Sequence, residues 1–206
     1  YMAEDRRVRK TQNAIKHAFI QLLNEKDLDK ITISDITHKA DINRGTFYLH
    51  YEDKYMLLNK MENGYIEDLS NTLSTKDKFY VGMDAEAFAR IFTEEKLKKI
   101  ILHIDTNFEF YKTIFMLERR SQLETKINQV MYENMKKHLV TKDTVDGIPL
   151  DYFHSYVAGA SISFIKYWVK DNRKIDPQTL VESLFKIVFY GPLRLMAKEQ
   201  YNISEQ

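Results

Sequence analysis

Residues 32–54 read TISDITHKADINRGTFYLHYEDK, and they hold the densest group of side chains suited to recognition chemistry. Asn43, Arg44, Thr46 and Tyr48 carry hydrogen-bonding groups, and Phe47 among them is available for a core. On a short helix this arrangement turns donors, acceptors and a methyl group outward near one end. The matching chemistry is the reading of base edges in the major groove of DNA. Arg44 can address the guanine edge, Asn43 the adenine edge, and the Thr46 methyl a thymine methyl. Any three-helix bundle shows similar apolar stripes, so the stripes alone leave a purely structural reading open. The residue types decide.

The elements that must position this group are helical. Six Gly and three Pro in 206 residues is sparse punctuation, and helical spacing recurs with no sustained period of two. The spacing predicts an all-α chain. Ile15, Ala18, Phe19, Leu22 and Leu23 form one stripe of a first helix over about residues 6–25. Thr32 with Asp35 makes a capping-box-like start to a second helix, which a break at Asp41 ends. A short third helix covers about residues 43–49, and Asp53 caps a long fourth over about residues 54–74. Residues 74–84 read as a linker. Beyond it, helices are expected over 85–103, 106–117, 121–140 and 151–170, with a loop at 144–149. Asp176-Pro177 opens another helix, Gly191-Pro192 closes it, and a short last helix covers 193–200.

Other chemistry is excluded or thin. The chain has no cysteine, which removes disulfides, thiolate nucleophiles and Cys-ligated metals. The six His lie at 17, 38, 50, 103, 138 and 154 with no HxxxH or HExxH pair, so a metal site is disfavoured and no cofactor is expected. No phosphate loop, nucleophile–base spacing or recognisable carboxylate pair supports an all-α enzyme. No apolar run approaches the roughly 20 residues of a membrane span, and no signal-peptide pattern opens the chain. A soluble, cytoplasmic protein is expected.

The charge balance limits the mode of nucleic-acid binding. Thirty-one basic side chains face 30 acidic ones, and residues 1–55 carry ten basic against nine acidic. That excludes a coat held on by bulk charge. It leaves room for a reader that depends on geometry. Arg6, Arg7, Arg9 and Lys10 against Glu4 and Asp5 make a basic start, either a solvated helix end or an arm reaching a neighbouring groove.

The run Asn43-Arg44-Gly45-Thr46-Phe47-Tyr48-x-His50-Tyr51-x-x-Lys54-x-x-Leu57 resembles the signature of TetR-family transcriptional regulators, over about residues 6–69. Asp41 stands where the helix–helix turn commonly has Gly, and Tyr51 where Phe is commoner. The resemblance implies a helix-turn-helix DNA-binding domain over residues 6–69, its helix-turn-helix at about 32–51. A C-terminal helical domain for effector binding and dimerisation would cover 75–200. It also implies that Asn43, Arg44, Gly45 and Thr46 lie at the base-facing start of the recognition helix, and that Tyr48, His50 and Lys54 contact the DNA backbone. A packing or capping role for His50 stays open. Thr32 and Ser34 sit at a helix start that favours phosphate. Lys54 is poorly placed for its own helix dipole, which a phosphate partner would explain. Arg6 represents the basic start in the same interface.

Residues 99–192 resemble a C-terminal domain found in a subset of such regulators, many from low-GC Gram-positive bacteria. The resemblance rests on Asn107-Phe108-Glu109-Phe110-Tyr111-Lys112, Tyr156-Val157-Ala158-Gly159-Ala160 and Ile165-Lys166-Tyr167-Trp168. It implies that the last two long helices pair with those of a second copy, with Tyr156, Gly159, Ala160, Ser163, Leu184, Phe185 and Val188 at the interface. Phe88, Phe92, Phe108, Tyr111, Phe115, Met131 and Met135 are candidate walls of an effector pocket, with ordinary core as the alternative. The expected protein is a homodimeric repressor that binds double-stranded operator DNA and is released by an effector. The alternatives are control by a protein partner, and a helical adaptor whose DNA-binding domain is vestigial.

Overall fold

Local signals account for most element boundaries. The computed structural model describes residues 2–74, 80, 82–117, 121–138, 143–172 and 174–201. Tyr1 and most of the expected linker, residues 75–79 and 81, lie outside them. The described chain is all-α apart from one small ladder. Two compact units partition it: Tyr1–Glu67 with Glu109–Leu123, and Asp68–Phe108 with Glu124–Gln206.

In the first unit, α1 (Met2–Glu25) buries Ile15, Ala18, Phe19 and Leu22, which recur at the helical spacing of three and four. A 3-10 turn, Leu28–Lys30, leads to α2 (Ile33–Lys39) and α3 (Arg44–Tyr48). Between these two helices Asp41 adopts φ 53°, the left-handed conformation that a short polar side chain tolerates. The long α4 (Lys54–Leu73) follows, its first turn capped by Asp53, whose Oδ1 accepts from the Met56 N–H at 2.7 Å. Most of α7 (Phe108–Met116) also belongs to this unit. Phe110 stacks on Tyr65 with ring centroids 3.7 Å apart, a pair worth about 0.5–1.5 kcal/mol beyond its buried area. The Thr113 hydroxyl donates to Asn24 Oδ1 at 3.0 Å. Buried Glu62 accepts from the Ser121 hydroxyl at 2.8 Å and the Gln122 N–H at 3.2 Å.

The second unit contains α5 (Ala85–Phe92), which runs through a π-helical stretch, Thr93–Leu97, into α6 (Lys98–Thr106). It continues with α8 (Leu123–His138), α9 (Leu150–Lys170), α10 (Pro177–Tyr190) and α11 (Pro192–Tyr201). Residues 144–149, expected as a loop, form a hairpin instead: β1 (Thr144–Val145) pairs antiparallel with β2 (Ile148–Pro149). Asp146 and Gly147 both take positive φ, 50° and 77°, which is what the tightest hairpin turn requires. Trp168 on α9 packs edge-on against Phe108 and donates its indole N–H to the Ile175 carbonyl at 2.8 Å. At the start of α10 the Asp176 carboxylate accepts from the Thr179 hydroxyl and N–H, and these bonds hold its pKa below the usual carboxylate range. Gly191, at φ 80°, ends the helix. Among the described residues no helix is long and apolar enough to cross a membrane, and no group of three or more His, Asp or Glu could hold a metal ion.

Candidate nucleic-acid interface

The helix-turn-helix is fixed first by its caps. Thr32 and Asp35 form a reciprocal capping box at the start of α2: the Asp35 N–H donates to the Thr32 hydroxyl at 3.1 Å, and the Thr32 N–H donates to the Asp35 carboxylate at 2.8 Å. Lys26 donates to the same carboxylate at 2.8 Å. The Lys26 hydrogen bond, followed by those from Thr32, holds the Asp35 pKa far below the usual carboxylate range. Thr32 is therefore occupied, and an anion sits beside it. Exposed Ser34 is the group at this helix start left to meet a phosphate.

The Asp35 shift has a defined pH consequence. A carboxyl whose pKa is depressed on folding contributes stability above its unfolded value, and that stability is lost as pH falls through the folded value. Asp35→Asn is expected to melt below wild type at pH 7, with the difference shrinking from about pH 4 downward. Thermal melts of both proteins between pH 7 and pH 3 check this. A gap that stays constant with pH would remove the carboxylate from the account.

Asn43 is the N-cap of α3. Its Oδ1 accepts from the Thr46 N–H at 2.8 Å and the Thr46 hydroxyl at 3.0 Å. Two-point reading of adenine needs that oxygen as an acceptor. Asn43 starts the helix, and with its oxygen engaged in the cap its amide N–H groups are the ones left to offer a base. The Thr46 hydroxyl is likewise engaged, which leaves its methyl. Phe47 is fully buried and pins α3 to the unit's core, its ring meeting Tyr51 and the edge of Tyr48. Arg44 and Gly45 are exposed, and Tyr48 is 51% exposed. These three, with Thr46, form the outward side of α3. His50 is half-buried beside Tyr51, and its carbonyl accepts from Lys60 Nζ at 3.3 Å. Leu49, an unassigned position of the motif, is 81% exposed at the C-cap. The alternation around Phe47 was the signal for its direction.

Lys54 is engaged within its own unit. Its ammonium donates to three carbonyls of the turn before α2: Leu28 at 2.8 Å, Asp29 at 3.0 Å and Ile31 at 2.7 Å. A lysine has three N–H donors, so all are used. The unfavourable dipole position is offset inside the protein, where Lys54 clamps α4 to the 3-10 turn, and a phosphate would have to compete with these three carbonyls. Arg6, Arg7, Arg9 and Lys10 are exposed, yet they lie within α1. The basic start is a helix, not an extended arm.

Two family models match the chain: "Bacterial regulatory proteins, tetR family" over residues 15–61 and "Transcriptional regulator C-terminal region", of the same family, over residues 93–190. The chain belongs to the TetR family. Among curated TetR-like relatives, the uncharacterized HTH-type transcriptional regulator YxbF of Bacillus subtilis (strain 168) is 25% identical over 184 residues, covering 84% of this chain and 43% of that protein. The dhaKLM operon transcriptional activator DhaS of Lactococcus lactis subsp. lactis (strain IL1403) is 28% identical over 134 residues, 62% of this chain and 64% of that protein. The TetR chain thus spans 43% to 64% of the length of these relatives. A solved TetR-family regulator from Syntrophomonas wolfei superposes with a TM-score of 0.69 at 17% identity, covering 89% of this chain and 97% of that one. It shares the fold.

In this TetR-family chain the candidate pocket residues divide between the units. Tyr111 and Phe115 are buried in the first, in the aromatic group with Tyr65 and Phe110. Phe88, Phe92, Phe108, Met131 and Met135 belong to the second. There Phe88 and Phe92 stack one helical turn apart, Phe108 is buried against Trp168, and Met131 and Met135 are half-buried on α8. A pocket of about 270 Å³ lies elsewhere in that unit, lined by Lys98, Ile101 and Leu102 of α6 and by Asp176, Pro177, Gln178 and Val181 at the start of α10. His154, buried against the Tyr132 ring, has no hydrogen-bond partner at Nδ1, and burial holds its pKa down.

The candidate interface residues sort more cleanly. Tyr156, Gly159, Ala160 and Ser163 are exposed on one face of α9, which Tyr152 and Tyr167 extend in both directions. Val188 is exposed on α10, and half-buried Phe185 stacks on Phe189 at 5.3 Å. Leu184 is 3% exposed and faces its own unit's core.

Proposed function

We propose that this chain is a homodimeric, sequence-specific DNA-binding transcriptional regulator, a repressor whose hold on its operator an effector controls. One observation carries the DNA reading: α3 is pinned to the core through Phe47 while Arg44, Gly45, Thr46 and Tyr48 form its outward side. A helix fixed from behind and polar in front is what major-groove docking needs. Family membership supports it, because proteins of this family bind operator DNA and act as dimers. The near-neutral charge fits a reader whose affinity comes from matched contacts more than from counterion release. Such a protein works in the cytoplasm, where its DNA is.

The exposed α9 face supports the dimer. Gly159, Ala160 and Ser163 are small enough for a second helix to approach closely, and tyrosines flank them on both sides. Ala160→Glu would place two like charges at that crossing. Sedimentation is expected to shift this variant from dimer to monomer, with a melting temperature that no longer rises with protein concentration; an equally dimeric variant would move the interface elsewhere. Effector control then acts as a population shift between two spacings of the paired recognition helices, and a tenfold loss of DNA affinity needs about 1.4 kcal/mol of differential binding.

DhaS is named as an activator, and similarity to it favours a second reading in which this chain activates its target. The test of both begins with selection of binding sites from random DNA by the purified protein, followed by gel shifts at fixed salt. Enrichment of one sequence, and its preferential binding, are expected. A reporter carrying that site separates repression from activation. Equal binding to selected and random DNA would end the DNA-reading proposal.

A further inference from the structure

The outward side of α3 includes an aliphatic residue that plays no part in the fold. A lone exposed leucine is ordinary on a protein surface; the position of Leu49 is what matters. Phe47 is fully buried and defines the inward direction of α3. At about 100° per residue, Gly45 and Leu49 both point away from it, stacked one turn apart. Leu49 is the most exposed large hydrophobic residue among the described residues. Its backbone is nevertheless held, with helical dihedrals at the C-cap and its N–H donating to the Gly45 carbonyl at 3.1 Å. Gly45 keeps the outward ridge low on its N-terminal side, since a Cβ there would meet only Asn43 Oδ1, at 3.3 Å, within 4 Å. A duplex lying along this face could approach the backbone at Gly45 and meet the Leu49 side chain one turn later.

We propose that Leu49 is a specificity-determining residue, reading the C5-methyl group of thymine in the major groove. The proposal rests on the DNA-binding reading above. An isobutyl group can neither donate nor accept a hydrogen bond. The base edges of the major groove offer donors, acceptors and one apolar group, the thymine methyl. Leu49 selects that group because the others would be desolvated against it without a partner. Arg44 and Leu49 thus read different chemistry from one short helix.

The test uses the full chain and the site selected from random DNA. Each thymine in that site is replaced singly by deoxyuridine, which pairs identically and lacks only the methyl. Wild type is expected to lose about fourfold in affinity at one or more thymines, the worth of one buried methyl group. Leu49→Ala binds thymine and deoxyuridine equally at one or more of those positions, a thymine met by the Thr46 methyl keeping its preference, while Leu49→Met keeps the preference at all of them. Because the side chain is exposed, both variants are expected to melt with wild type. Indifference of wild type to every substitution, a selected site without thymine, or an Leu49→Ala protein that keeps the wild-type discrimination would each overturn the assignment. Failure to select any sequence would instead remove the DNA-binding reading on which it stands.

Discussion

Lys54→Met is expected to lower the melting temperature by roughly 6–12 °C, from a loss of about 3 kcal/mol in a chain of this size. The methylene stem is kept in this variant and the ammonium removed. Three carbonyls, of Leu28, Asp29 and Ile31, lose the donor they share. Hydrogen bonds to a charged donor contribute about 1.5–3 kcal/mol, and acceptors left without a partner add to the loss. The clamp joins α4 to the turn before α2, so its removal loosens the placement of the helix-turn-helix as a whole. Thermal melts followed by circular dichroism measure the shift, with gel shifts below the melting range as the companion. If the variant melted with wild type and lost only DNA affinity, the ammonium would serve a phosphate and not the fold.

Arg44→Ala is expected to cost about 1–3 kcal/mol on the selected site, a loss between about 5- and 150-fold, and to relax selection at one base-pair position. Arg44 is exposed at the first position of α3, and its guanidinium has no hydrogen bond or ion pair among the described residues. Removing it therefore leaves the fold untouched. The two-donor match to guanine O6 and N7 places the loss on one base pair. Arg44→Lys would keep the charge and lose the planar fork, so it should retain general affinity while still relaxing that position. Repeating the site selection with each variant measures both effects. Selection unchanged in both would move the reading helix away from α3.

The helix-turn-helix was legible in the sequence because its instructions are local. The Thr32–Asp35 capping box, the Asp53 cap and the left-handed turn at Asp41 each depend on residues within three or four positions. The Asn43 cap was equally local, and its pairing with Thr46 could have been anticipated from their spacing. The outward chemistry of Asn43 drew the reading toward adenine instead. The Asp146-Gly147 pair was likewise a hairpin signal that a loop reading passed over.

Elsewhere the missing information was not local. Periodicity draws an apolar stripe on α10, but it does not say which neighbour covers which part. Leu184 turned out to be covered by its own unit, while Val188 stayed outside. The aromatic spacing around Tyr111 and Phe115 suited a pocket equally well, until Phe110 and Tyr65 were found stacked in the first unit's core.

Sequence alone settles that the chain is helical, that a short helix with hydrogen-bonding side chains follows a capped one, and that its basic and acidic groups nearly balance. Each follows from side chains acting within a turn or two of helix, or from a sum over composition. Tertiary structure decided which candidate groups are still available to a partner. Lys54 is consumed by carbonyls 23 to 26 residues away, the segment 109–123 joins the first unit across more than 40 intervening residues, and Leu49 stands exposed because Phe47 faces the core. The physical reason is the same in each case. A residue type specifies what a side chain can bond, and only the folded chain specifies whether that bond has already been made.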